Sequence, residues 1–213
     1  MKNVLVIESS PRLTESVSRA LTERAVQMLE SRYPGVSVVR RDLGRNPVRH
    51  LDEPTIVALR TPVELLTSEQ SAQLQLSDSL VDEVLSADQL VIGVPMYNFG
   101  IPSGLKAYID HIARAGKTFR YGADGRPEGA LGGKPALILG ARGGVYSEGP
   151  FQSFDFQERY LGAVLSFLGA ECEFVRVEGV SLGPEVLAAA QKKADADLLE
   201  TVALRGAKIN LAD

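Results

Sequence analysis

The 213-residue chain has little of the chemistry that side chains usually supply to a catalyst. It holds one cysteine, Cys172, which excludes an internal disulfide framework and any zinc or iron–sulfur site built from several cysteines. Its two histidines, His50 and His111, stand too far apart in sequence to form a recognisable pair of metal ligands. We therefore expect no metal site, and the reactive groups of an enzyme would have to come from elsewhere.

Strong charge and long apolar runs are also missing. The chain carries 23 Lys and Arg against 27 Asp and Glu, a net charge of −4, whereas proteins that bind nucleic acid usually present a basic face. The apolar run near the N-terminus is far shorter than the roughly 20 residues of a membrane-spanning helix, and it lacks the features of a secretory signal. We expect no nucleic-acid partner, no membrane contact and a cytoplasmic location.

Segments typical of strands and helices alternate along the whole chain. Short, continuously apolar strands between helices indicate a parallel sheet that is covered on both faces. The predicted fold is a single α/β domain over residues 1–213, a flavodoxin-like doubly wound sheet of five parallel strands in the order 2-1-3-4-5. The predicted strands are 4–7, 36–39, 90–94, 136–139 and 174–177, and the predicted helices are 18–32, 79–86, 105–113, 158–168 and 184–205.

Two segments, 50–75 and 118–132, fall outside this alternation. The first has a helix-like stretch at 55–60 but is otherwise irregular, and the second is rich in glycine. Long irregular segments in compact domains are usually lids, interface elements or disordered. We expect both segments to shape a site or a dimer contact.

Serines fill the loop between the first predicted strand and the first helix. A helix N-terminus offers free backbone N–H groups and about half a positive charge, which can hold a phosphate without a lysine. The hydroxyls of Ser10, Ser16 and Ser18 can donate to the same anion. The alternative is simple capping of the helix, which is the common role of serine at such positions.

The loops after the third and fourth strands also lie at the sheet edge where ligands bind in this type of fold. Residues 95–102 place two aromatic side chains and a methionine on a loop, which suits contact with a planar ligand or packing beneath other segments. Residues 140–144 include Gly143 and Gly144, whose lack of a side chain permits either close approach to a flat ligand or a tight turn. Convergence of all three loops at one edge favours a ligand site.

These motifs resemble the FMN-dependent NADH–azoreductases, relatives of the NAD(P)H–quinone reductases, and the resemblance covers nearly the whole chain. It rests on Ser16 and Ser18 and on the Met-Tyr-Asn-Phe segment at 96–99. Further matches are Ala-Gly-Lys-Thr-Phe at 115–119, Arg-Gly-Gly at 142–144, Glu-Gly at 178–179 and Gly-Pro-Glu at 183–185. One departure is Ala141, where the family usually has serine, so that one hydrogen bond near the flavin would be lost.

The resemblance implies a homodimer with one FMN per subunit and active sites at the subunit interface. Electrons would pass from NADH, with NADPH left open as an alternative donor, to quinones or azo compounds in ping-pong order, and azo bonds would be cleaved to amines. No side chain is implied as an acid or base. The implied cofactor-binding residues are Ser10, Ser16, Val17, Ser18, Pro95, Met96, Tyr97, Asn98, Phe99, Ala141, Arg142, Gly143 and Gly144. The implied substrate-pocket residues are Arg60, Tyr121 and Phe167.

Two other functions compete with this interpretation. A flavodoxin-type electron carrier would bind FMN without a small-molecule substrate, but such carriers are typically short and strongly acidic, for docking to basic partners. A serine hydrolase would need the Gly-x-Ser-x-Gly turn, which the sequence does not contain.

Overall fold

The computed structural model describes residues 1–209, with side chains described up to residue 203. In that part of the chain there are seven strands and six α-helices. The strands are β1 (Asn3–Glu8), β2 (Ser37–Asp42), β3 (Gln89–Pro95), β4 (Phe119–Tyr121), β5 (Pro127–Gly129), β6 (Lys134–Ala141) and β7 (Ala170–Val177). The helices are α1 (Val17–Arg32), α2 (Glu53–Arg60), α3 (Ser68–Ser86), α4 (Ser103–Ile112), α5 (Phe156–Phe167) and α6 (Pro184–Ile209).

The main sheet has five parallel strands in the order β2-β1-β3-β6-β7. Because β4 and β5 form a separate pair, this is the predicted 2-1-3-4-5 order, and the predicted fold class is confirmed. The last four positions of the predicted domain range, 210–213, lie outside the described residues.

Alternation along each strand builds two cores, because successive side chains point to opposite faces of a sheet. Leu5 and Ile7 of β1 pack into a core shared with helices α3, α4 and α5. Val4 and Val6 pack on the other face, against α1 and α6. The helices on both faces leave the carboxyl ends of the strands as the edge where loops converge.

The two edge strands of the sheet, β2 and β7, are longer than predicted from the sequence. The second strand runs to Asp42 through two arginines, and the fifth strand begins at Ala170 rather than at residue 174. Both strands lie at the sheet edges and are partly exposed, so polar residues are tolerated and the apolar run ends before the strand does.

The prediction that 50–75 is largely irregular is wrong. Besides α2, this segment contains a short 3₁₀ turn and the first two turns of α3. Thr67 caps α3 in a reciprocal capping box with Gln70, and Asp52 caps α2. The first turns of α3 are rich in polar residues, so the apolar periodicity of the helix becomes visible only further along.

The segment 118–132 is also more regular than predicted. Strands β4 and β5 form an antiparallel hairpin, whose turn includes Gly125 at a φ of +75°. Its return strand passes directly over the end of α5, since a Cβ at Gly129 would lie 2.1 Å from the backbone carbon of Leu168. Only glycine permits this approach. Among residues 1–209, no helix has the length and apolar character needed to cross a membrane.

Candidate functional site

Three serine hydroxyls meet where β1 ends and α1 begins. The Ser16 hydroxyl donates to Ser10 Oγ at 3.0 Å and lies 3.2 Å from Ser18 Oγ. Ser16 is also the N-cap of α1, but its bond from the Arg19 N–H is long, at 3.5 Å. Helix capping and a phosphate site are therefore compatible here, because the capping serine lies inside a cluster of hydroxyls at a helix N-terminus.

An arginine fixes the shape of the serine loop. Arg19 donates to the carbonyl oxygens of Ser10 at 2.7 Å and of Arg12 at 3.1 Å, and it pairs with both carboxylate oxygens of Asp42 at 2.7 and 2.8 Å. Hydrogen bonding from this guanidinium holds the pKa of the Asp42 carboxyl below its usual range. The loop after β1 is thus tied to the end of β2.

The loop after β3 turns sharply at Asn98 and Phe99. Tyr97 and Gly100 exchange both backbone hydrogen bonds, at 3.1 and 2.9 Å, around these two residues. Asn98 has a φ of +48° and Phe99 a φ of +68°, which suits glycine or asparagine far better than phenylalanine. A strained backbone of this kind is typical of functional sites, where the surrounding structure enforces it.

Arg142, at the end of β6, is buried among carboxylates. Its side chain is 0% exposed and lies within 3.1 Å of Asp155, 2.5 Å of Glu158 and 3.0 Å of Glu178. It also donates to Gln157 Oε1 at 2.9 Å. The sequence interpretation places Arg142 against a flavin. The residue does line the cleft, but its guanidinium is buried and joins β6, α5 and the loop after β7.

Glu178 connects the Arg142 ion network to the glycine-rich loop after β6. Its Oε1 accepts the N–H groups of Tyr146 at 2.8 Å and Ser147 at 3.0 Å, and the Ser147 hydroxyl donates to Oε2. Burial acts to raise the pKa of Glu178, but these donors and Arg142 outweigh it and hold the pKa below its usual range. The carboxylate therefore stays charged and fixes the loop.

The loop after β7 was missed in the sequence and forms another wall of the site. The N–H groups of Gly179, Val180 and Ser181 donate to the carbonyl oxygens of Gly144, Arg142 and Gly143, all at 3.0 Å. A Cβ at Gly143 would lie 3.1 Å from the Ser181 hydroxyl. The paired glycines thus make room for this neighbouring loop. The Glu-Gly and Gly-Pro-Glu motifs that flank it were the available sequence signal.

These loops enclose a cleft of about 210 Å³ at the carboxyl edge of the sheet. Its lining includes ten of the predicted cofactor-binding residues: Ser10, Ser16, Val17, Ser18, Pro95, Met96, Tyr97, Ala141, Arg142 and Gly143. Asn98, Phe99 and Gly144 are not part of its lining, although they follow in the same loops. Arg12, Val180 and Ser181 complete the lining.

The predicted substrate-pocket residues lie elsewhere in the chain. Phe119 packs on Phe167 at a centroid distance of 4.7 Å and on Tyr121 at 5.8 Å, so Tyr121 and Phe167 share an aromatic cluster beside the β4–β5 hairpin. Arg60 is the last residue of α2. Within the described part of the chain, none of Arg60, Tyr121 and Phe167 lines the cleft.

One buried carboxyl lies just below the serine loop. Glu8, the last residue of β1, is 5% exposed, and its Oε2 has no hydrogen-bond partner within the described residues. Burial raises its pKa to about 7, although the charge of Arg19 acts against this. Glu8 lines a separate hollow together with Arg19 and Asp42, on the α1 side of the sheet.

A family model for the flavodoxin-like fold matches residues 2–202. The FMN-dependent NADH:quinone oxidoreductase of Hyphomonas neptunium is 46% identical over 192 residues, which cover 89% of this chain and 90% of that protein. The protein of the same name from Herminiimonas arsenicoxydans is 47% identical over 186 residues, which cover 87% of this chain and 91% of that protein.

Solved structures agree with these relatives. The azoreductase from Bacillus anthracis str. Sterne has a TM-score of 0.85 at 32% identity and covers 96% of this chain and 98% of its own. An FMN-dependent NADH-azoreductase from B. anthracis str. Ames Ancestor was solved in complex with FMN. It has a TM-score of 0.83 at 27% identity, and the match covers 94% of this chain and 100% of that one. By sequence and by fold, the chain belongs to the flavodoxin-like family and, within it, to the FMN-dependent NADH:quinone oxidoreductases.

Proposed function

We propose that the protein is an FMN-dependent oxidoreductase that passes electrons from NADH to quinones and azo compounds, with NADPH as an alternative donor. The observation that carries this proposal is the cleft that the serine cluster at the start of α1 shares with Pro95, Met96 and Tyr97 of the loop after β3. The names of the relatives supply the reaction, and the cleft supplies a place for its cofactor.

The residues of the cleft fit FMN. A phosphate monoester needs several hydrogen-bond donors in one place, and Ser10, Ser16 and Ser18 offer three hydroxyls there. Among the described residues, the backbone N–H groups of Val17 and Ser18 have no acceptor, so they are free to donate at the positive end of the helix dipole. The phosphate would lie at this helix N-terminus.

The remaining loops would hold the ring system. Met96, Tyr97, Asn98 and Phe99 would border the isoalloxazine, and the backbone at 141–144 would contact its pyrimidine side. FMN, when bound, accepts a hydride equivalent from the donor and passes electrons to the acceptor, which is chemistry that the side chains need not supply. Backbone N–H groups of these loops would stabilise negative charge on the ring.

One shared pocket would serve donor and acceptor in turn, with azo bonds cleaved reductively to amines. The test is steady-state turnover by the purified protein with NADH and a quinone, each varied at several fixed levels of the other. Parallel double-reciprocal lines would support the ping-pong order, and intersecting lines would contradict it. FMN binding without NADH turnover would instead favour a flavodoxin-type carrier.

The proposal includes a homodimer with active sites at the subunit interface. Arg60, Tyr121 and Phe167 lie away from the cleft within one protomer, so a second subunit is needed to bring such side chains over a neighbouring cleft. Apolar side chains in segment 50–75 support an interface, since Val63 is 78% exposed and Leu65 is 67% exposed.

Mixing two damaged variants tests the dimer. A Ser16→Ala/Ser18→Ala variant with a weakened cofactor site and a Tyr121→Ala variant with a weakened pocket would form one intact site per mixed dimer. Recovery of activity on mixing supports shared sites, and a monomer by light scattering contradicts them. We also propose a cytoplasmic location, since NADH is an intracellular reductant.

A further inference from the structure

The carboxyl of Glu8 lies inside the protein, next to the loop that carries the serine cluster. Glu8 is the last residue of β1, with Asp42 opposite it on β2 and Gly93 opposite it on β3. The next residue, Ser9, is fixed to β3, because its N–H and its hydroxyl both donate to the Gly93 carbonyl, at 3.1 and 2.7 Å. The backbone therefore holds Glu8 in place, two positions before Ser10.

A glycine leaves the space that this carboxyl occupies. A Cβ at Gly93 would lie 2.8 Å from Glu8 Oε2 and 2.5 Å from Thr22 Oγ1. The Thr22 hydroxyl donates to the Ser18 carbonyl at 2.8 Å, and since a hydroxyl has one proton, none is left for Glu8. Within the described residues, Glu8 Oε2 has no hydrogen-bond partner, although the residue is buried. An ionised Glu8 would therefore lose its hydration without gaining a donor at this oxygen.

The cations near Glu8 are already paired with other carboxylates. Glu8 lines a hollow of about 580 Å³, which we call the α1 hollow. The other charged residues of its lining come from the serine loop, α1 and β2, and they are Glu15, Arg19, Glu23, Arg40 and Asp42. Arg19 pairs with Asp42 at 2.7 Å and Arg40 with Glu23 at 2.8 Å, whereas β3 faces Glu8 with the uncharged Gly93 and α6 with the uncharged Gln191. An ionised Glu8 would add a negative charge without a cation of its own.

The α1 hollow and the cleft share a wall. Ser16 and Val17 line both, so the first turn of α1 lies between the Glu8 carboxyl and the proposed phosphate position. Arg19 also connects the two, because it lines the α1 hollow and donates to the Ser10 carbonyl at 2.7 Å. Two negative charges on the two sides of one helical turn repel each other, and protein between them screens charge less than water does.

Both protonation states of Glu8 are populated near neutral pH. Burial raises the pKa of Glu8 to about 7, although the charge of Arg19 acts against this, so the neutral form dominates below pH 7 and the ionised form above it. A phosphate bound beyond the first turn of α1 would favour the neutral form. By thermodynamic linkage, the proton on Glu8 then favours the phosphate by the same factor.

We propose that Glu8 is a proton-linked residue of the cofactor site and takes up a proton from solvent when the phosphate of FMN binds at the serine loop. This inference rests on the proposed function, since it needs FMN phosphate at that loop. It gives Glu8 a role in cofactor affinity that the family resemblance does not imply. The affinity for FMN is expected to fall as the pH rises through 7.

Calorimetric titration of the cofactor-free chain with FMN at pH 7.5 counts the proton directly. Binding heats in buffers of different ionisation enthalpy give the number of protons taken up, and a tenfold coupling predicts about half a proton per FMN. A phosphate monoester, with a second pKa of about 6, is already ionised at this pH and contributes little. Riboflavin, which lacks the phosphate, is the control ligand and is expected to bind without uptake. No uptake with FMN, or equal uptake with both ligands, would overturn the proposal.

Variants assign the proton to Glu8. Glu8→Gln retains the shape of the side chain and removes its titration. It is expected to bind FMN within about twofold of the wild type at pH 6, about five- to tenfold more tightly at pH 8.5, and without proton uptake. Glu23→Gln is the matched control, since Glu23 lines the same hollow with its side chain 51% exposed, and it is expected to match the wild type. If Glu8→Gln changed affinity by one factor at both pH values and for both ligands, the role of Glu8 would be merely structural and the proposal overturned.

The same titrations separate the two possible failures. If the wild-type chain binds neither FMN nor riboflavin, the proposed function and the role of Glu8 fail together. If FMN binds but Glu8→Gln alters neither the proton uptake nor the pH dependence of affinity, only the role of Glu8 fails. Loss of the uptake in Glu8→Gln with FMN, together with unchanged riboflavin binding, supports both.

Discussion

Arg142 Nη1 donates to Glu178 Oε1 at 3.0 Å, and the same oxygen accepts the N–H groups of Tyr146 and Ser147. This buried pair connects the end of β6 to the loop after β7. It holds the glycine-rich loop beside the cleft in one conformation, so the geometry of the proposed flavin site depends on a residue whose guanidinium is buried.

Replacing Arg142 with methionine would leave buried carboxylates without their shared cation. Loss of one partner from a buried ion pair costs about 3–5 kcal/mol of unfolding free energy, because the remaining charge stays buried. Arg120→Met is the matched control, since Arg120 pairs with Glu128 at the surface with its side chain 77% exposed, and it is expected to cost less than about 1 kcal/mol. Denaturant unfolding measures both. Equal, small costs would contradict the structural role of Arg142.

The serine cluster makes a separate prediction about FMN affinity. Replacing Ser16 and Ser18 together with alanine is expected to weaken FMN binding by about 1–3 kcal/mol, because hydrogen bonds to a charged phosphate are lost. Ser31→Ala, on the exposed last turn of α1, is expected to leave the affinity unchanged. Fluorescence titration with FMN measures the difference. An unchanged affinity in the double variant would move the phosphate to another place.

The strain at Phe99 can be isolated by comparing two variants. Phe99→Ala and Phe99→Gly both remove the ring, but only alanine retains the cost of a φ near +68°. A left-handed conformation costs a non-glycine residue about 1–2 kcal/mol, so the glycine variant is expected to be more stable by about 1 kcal/mol. Thermal or denaturant unfolding decides this. A more stable alanine variant would show that the turn carries no strain.

Glu8 predicts a dependence of stability on pH. Its pKa is raised to about 7 in the folded protein, so between its usual pKa of 4.5 and 7 the folded state holds a proton that the unfolded state releases. Stability attributable to Glu8 therefore falls as pH rises through this window, by up to about 3 kcal/mol above pH 7. Glu8→Gln removes this loss.

The expected result is that Glu8→Gln gains stability over the wild type between pH 4.5 and pH 8, measured by denaturant unfolding of the cofactor-free protein. Glu23→Gln serves as the control, since Glu23 lines the same hollow but its side chain is 51% exposed. A stability difference for Glu8→Gln that is constant with pH would contradict the raised pKa.

Much of the fold could be predicted because its central strands are apolar without interruption. The runs at 4–7 and 90–94 read as buried strands, and the loops that follow them had to meet at one edge of a parallel sheet. The polar end of β2 could not be predicted, because it pairs with β1, which is distant in sequence. The hairpin of β4 and β5 was missed for another reason, since each of its strands has only three residues and is too short to show an apolar alternation.

The candidate site shows the same division. The hydroxyls of Ser10, Ser16 and Ser18 are local signals at a strand end, and the structure brings them together. The direction of Arg142 is not a local signal, since its carboxylate partners come from α5 and from Glu178, 36 residues away. When these carboxylate partners are not known, an arginine in a glycine-rich loop suggests a ligand contact rather than a buried ion network.

An anaerobic titration of the purified, FMN-supplemented protein with NADH, followed by its visible absorption spectrum, tests the proposed FMN-dependent reduction most directly. We predict that the protein retains FMN, that NADH alone bleaches the flavin band, and that a quinone then restores it. A protein that does not retain added FMN, or whose flavin band is unchanged by NADH, would contradict FMN-dependent oxidation of NADH.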